Sequence, residues 1–103
     1  MNFLKDYNLN ENEIEKIKNN YPKSLISSII YKKENVINML NFFKEKEFDI
    51  KKILFNRLDL FLIDYKILKD KINKYNNIDI ISALKEDISL IDNLWYIFFD
   101  IIL

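Results

Sequence analysis

The chain has 103 residues, enough for one compact domain, and sets 16 basic against 16 acidic side chains, a zero net charge that argues against a surface built for phosphate backbones. Histidine, cysteine and glycine are all absent. Their absence excludes serine–histidine and cysteine–histidine nucleophilic catalysis, disulfides, cysteine-ligated zinc, and the glycine-dependent phosphate loop and dinucleotide fingerprint.

Hydrophobic residues make up 50% and charged residues 31%, the balance of a folded globular chain. With no glycine and a single proline, the tight turns of a hairpin-rich fold are hard to build. Apolar residues recur at helical spacing. The expectation is an all-α fold over 1–103 as a single helical domain: a compact bundle or short α-solenoid of about six helices in two to three short-long repeats. The abundance of Ile, Lys and Asn, whose codons can be written in A and T alone, points to an A/T-rich genome. Met1 to Asn8 lacks the apolar run and cleavage site of a secretory signal, so a cytoplasmic location is expected.

In chain order, Asn10 followed by Glu13 is a capping-box pattern, which predicts a helix from Glu11 to Asn20. Pro22 forces a bend and suits the first turn of the next helix. That helix carries Leu25, Ile26, Ile29 and Ile30 on one face and continues through Val36, Ile37, Leu40 and Phe43 to Glu47, with a break allowed near Lys33 to Asn35. Asp49 is an N-cap for Ile50 to Asn56. Asp59 is expected to cap a longer helix with Leu60, Ile63, Ile67 and Leu68 inward, ending at Asn76 and Asn77. Asp79 begins a short helix through Leu84, and a last helix runs from about Glu86 to the end.

This last helix is apolar around most of its circumference: Ile88, Ile91, Trp95, Phe98 and Ile102 form one stripe, with Leu90, Leu94, Ile97 and Ile101 beside it. Such a helix is either buried on more than one side or leaves part of its face for a partner. Asp100 interrupts the run, and the stretch from Leu94 to Leu103 is shorter than the about 20 apolar residues needed to cross a bilayer, so no membrane association is expected.

Internal repetition is visible. Phe3-Leu4-Lys5-Asp6 aligns with Phe42-Phe43-Lys44-Glu45, Leu9 with Phe48, Ile14 and Ile17 with Ile50 and Ile53, and the segment from Asn20 to Ile26 with that from Asn56 to Leu62, allowing one gap. A weaker third copy lays Ile78-Asp79-Ile80 over Phe48-Asp49-Ile50 and Ile88 over Leu58. A leucine-bearing helix, a link, an Ile-x-x-Ile helix, then proline and a Leu–Ile pair, as in Leu4 to Ile26, resembles the repeat of mitochondrial transcription termination factors, the mTERF-like proteins. The resemblance implies a curved array of helical repeats that binds nucleic acid along a basic concave face. The chain departs from that pattern at Asn8 and Glu47, where the family has glycine, at Leu58, where it has proline, and in its neutral charge.

For chemistry, the available groups are carboxylates, lysines, tyrosines and Arg57. Asp92 with Asp100, and Glu45, Glu47 and Asp49, are the carboxylate sets to weigh, and acidic residues near helix starts are more simply read as caps and solvated faces. No catalytic, cofactor or metal site is expected, and the chain is read as non-enzymatic. Lys51, Lys52, Arg57, Lys66, Lys69 and Lys74 are the candidate nucleic-acid face, diluted by Asp64 and Asp70. The tyrosines are read as core. The leading expectation is a small protein-binding module that acts by steric occlusion of a partner protein, as an inhibitor, immunity or phage-encoded anti-defence factor. Its contact residues would be Asp92, Trp95, Phe98, Phe99 and Asp100, and a homodimer through the C-terminal helix is a further expectation. The alternative is an mTERF-like nucleic-acid binder.

Overall fold

The computed structural model describes residues 1–74 and 78–93, and every regular element among them is helical. Six α-helices run as α1 (Glu11–Asn20), α2 (Lys23–Tyr31), α3 (Lys33–Glu45), α4 (Ile50–Asn56), α5 (Tyr65–Lys74) and α6 (Ile78–Glu86). Short 3-10 segments lie at Asn2–Tyr7, Leu58–Leu62 and Ile88–Leu90. The fold is all-α. The chain divides into two compact units, Met1–Tyr65 and Lys66–Leu103. No helix among the described residues is long and apolar enough to cross a membrane.

In the first unit the same local solution is used twice. At the end of the opening 3-10 segment Asn8 takes the left-handed conformation with φ 67°, and at the end of α3 Glu47 does so with φ 63°. Each closes a Schellman pair of backbone bonds. The N–H of Leu9 donates to the Leu4 carbonyl at 3.4 Å and that of Asn8 to Lys5 at 3.3 Å; the N–H of Phe48 donates to Phe43 at 2.9 Å and that of Glu47 to Lys44 at 3.0 Å. The apolar positions that accompany the motif are buried both times: Leu4 and Leu9 in the first, and in the second Phe43 and Phe48, which meet edge-on at 5.2 Å.

An N-cap follows directly in both copies. Asn10 Oδ1 accepts from the Glu13 N–H at 2.8 Å while Glu13 Oε1 accepts from the Asn10 N–H at 3.0 Å, completing the capping box. Asp49 Oδ1 accepts from the Lys52 N–H at 3.2 Å. The capped helices then bury Ile14 and Ile53 at the same distance from their caps. α1 has ten residues and α4 seven, so the length difference between the copies is absorbed inside the helix.

The core of this unit is apolar throughout, with Phe43 at its centre against Phe42, Phe48 and Phe61 at centroid distances of 5.2 to 5.9 Å. α3 contributes Val36, Met39, Leu40, Phe42 and Phe43, and packs against the Leu58–Leu62 segment and α4. Met39 and Phe42 join a face that the sequence assigns to Val36, Ile37, Leu40 and Phe43; Ile37 is only half-buried.

The helix expected to start at Asp59 is instead two elements. Leu58–Leu62 is a 3-10 turn, Ile63 is extended at φ −67° and ψ 141°, and α5 begins at Tyr65. A side chain far along the sequence holds this break. Asn35 Nδ2 donates to the Phe61 and Ile63 carbonyls at 3.1 and 2.8 Å, and its Oδ1 accepts from the Tyr65 N–H at 2.9 Å. Asp59 is not a cap; its carboxylate receives the Arg57 guanidinium at 3.1 and 3.0 Å. Because the helical phase restarts at Tyr65, Leu68 and Ile72 point inward and Ile67 is 48% exposed, contrary to its expected inward place.

In the second unit α6 extends to Glu86, two residues past the expected end. Asp87 then breaks the chain, and its Oδ1 accepts from the Ser89 N–H at 3.0 Å. The last helix therefore does not start at Glu86: a 3-10 turn intervenes, and helix resumes at 91–93. This junction repeats the one after α4. Arg57 and Asp87 share φ near −143°, their N–H groups donate four residues back to Ile53 and Ala83, and Leu60 and Leu90 donate to the Arg57 and Asp87 carbonyls. Leu54 with Leu84, and Leu58 with Ile88, are buried in corresponding places.

Candidate interaction surface

α2 lacks a side-chain cap; the N–H groups of Leu25 and Ile26 both donate to the Pro22 carbonyl, which sets the helix going directly after the proline. Its inward residue is Ile29, with Leu25 and Ile26 half-buried. At about 100° per residue Tyr31 falls on the far side from Ile29. It is 89% exposed, and Ile30 beside it is 49% exposed. The helix stops at Lys32, where φ −95° and ψ 33° turn the chain into α3, so no further turn covers either side chain. The expectation that the tyrosines are core fails at Tyr31. It holds in part at Tyr7, Tyr21 and Tyr65, which are half-buried, while Tyr75 and Tyr96 lie outside the described residues.

Two lysines and a glutamate, Lys32, Lys33 and Glu34, follow this pair in sequence. Lys32 and Lys33 are exposed, and Lys33 Nζ stands 5.8 Å from the Phe3 ring centroid. Burial first, and then the charges of Lys18 and Lys33, hold the Met1 amino group below its ordinary pKa. Lys18 also pairs with Glu15 at 3.5 Å, an exposed contact.

The residues expected to bind nucleic acid are distributed over both units. Lys51 pairs with Glu13 at 3.1 Å and Arg57 with Asp59 at 3.0 Å, so both have structural partners in the first unit. Lys52 is exposed on α4, and Lys66, Lys69 and Lys74 are exposed on α5. Of the expected protein-contact residues, Asp92 is exposed; Trp95, Phe98, Phe99 and Asp100 lie outside the described residues. Among the carboxylates, Glu47 occupies a helix-terminating position and Asp49 a cap. The described residues contain no group of three or more acidic side chains placed to hold a metal ion.

Two hollows lie among the described residues. One, of about 260 Å³, lies between the opening 3-10 segment and α1, where Lys5 pairs with Glu11 at 3.1 Å. The other, of about 180 Å³, is apolar and is lined in the second unit by Ile80, Ala83, Leu84, Leu90 and Asn93.

No family model, curated protein or solved structure matches the chain.

Proposed function

We propose that the chain is a cytoplasmic, non-enzymatic protein-binding module that acts by covering a surface of its partner. The observation that carries this reading is the exposure of Tyr31 with Ile30 beside it. An aromatic ring with only two side-chain torsions to immobilise is the kind of group that anchors interfaces, and an exposed aliphatic neighbour enlarges the apolar contact. Steric occlusion is the mode of action that the side-chain inventory supports best, since histidine, cysteine and the glycine loops are missing from the sequence. Inhibitor, immunity and phage-encoded anti-defence factors are the classes it fits.

The direct test is a photo-reactive phenylalanine analogue placed at Tyr31 in the expressing cell, with the same analogue at the exposed Lys16 as control. A discrete cross-linked protein from position 31 and none from position 16 is expected; no adduct, or the same adducts from both, overturns the reading. The sequence-derived contacts extend the test: a Trp95→Ala, Phe99→Ala double variant that keeps its fold and loses the partner adds that segment to the interface.

A second reading, a helical-repeat nucleic-acid binder, is favoured by the paired left-handed turns at Asn8 and Glu47 and the matching junctions at Arg57 and Asp87. The sequence-derived candidates Lys51, Lys52, Arg57, Lys66, Lys69 and Lys74 would carry the phosphate contacts. Its signature is an affinity for DNA or RNA that falls linearly with the logarithm of salt concentration. No binding at low salt removes it.

A further inference from the structure

We draw no further inference here: the strongest candidate, the apolar hollow of about 180 Å³ that Ile80, Ala83 and Leu84 of α6 line together with Leu90 and Asn93, is an unpartnered apolar face, and nothing in the structure shows what covers it.

Discussion

Glu47 is the residue at which chain geometry and side chain disagree most. A left-handed backbone places the Cβ of an L-residue too close to the following carbonyl, at a cost of roughly 1–2 kcal/mol that glycine does not incur. Asn8 holds the equivalent turn with a side chain that tolerates it better. Glu47→Gly should therefore stabilise the chain by about 1 kcal/mol in denaturant unfolding, reversing the usual sign of a glycine substitution. A β-branched Glu47→Val should destabilise it. The Glu13 carboxylate makes a second residue-scale prediction. The Asn10 N–H first, and then Lys51, hold its pKa below the ordinary 4.5, so its contribution to stability is present above that value and is lost as pH falls through the lower folded one. Glu13→Gln, which can still accept from the Asn10 N–H, should flatten the acid limb of a stability–pH curve.

Elements in the first unit are held at their breaks by single side chains from distant positions. Asn35 makes three hydrogen bonds across the gap between the Leu58–Leu62 turn and α5. Asn35→Leu leaves those backbone groups unpaired and should cost about 2–3 kcal/mol. Tyr21 does the same for the junction after α4: its hydroxyl donates to the Leu54 carbonyl at 2.8 Å and accepts from the Leu58 N–H at 3.4 Å. Burial is the main cause that raises its pKa above 10.0, so the fold favours the neutral phenol. The stability this contributes is complete below pH 10.0 and is lost as pH rises through the higher folded value. Tyr21→Phe should cost about 1 kcal/mol at neutral pH and blunt the alkaline loss in a pH-dependent melt.

These breaks also explain what the sequence hides. The caps at Asn10 and Asp49 are local, side chain to backbone three residues on, and the bounds of α1 and α4 follow from them directly. The interruption at Ile63 depends on Asn35, which no window around Ile63 contains, so Asp59 looks like a cap and Ile67 like core. The repeat is legible as aligned residue types, but the place of its gap is not, because helix length is decided by packing. The exposure of Tyr31 is hidden for a related reason: tyrosine in an apolar helix reads as core, and the break at Lys32 that ends the helix is not visible in the apolar pattern.

At the scale of the molecule, one local plan recurs: a left-handed turn and a capped helix appear twice in the first unit, and the 3-10 junction after the second of these helices appears again after α6 in the second unit. Within the first unit α2 turns Ile29 to the core, and Tyr31 lies on its far side.

The claim that Tyr31 serves recognition and not stability is tested most directly by thermal unfolding and partner capture measured side by side on an Ile30→Ser, Tyr31→Ala double variant and on Phe43→Ala. The account predicts that the double variant melts close to the parent yet loses a protein that the parent retains, while Phe43→Ala loses about 3–5 kcal/mol of stability. A double variant that unfolds like Phe43→Ala, or that melts like the parent and still retains every captured protein, would contradict it.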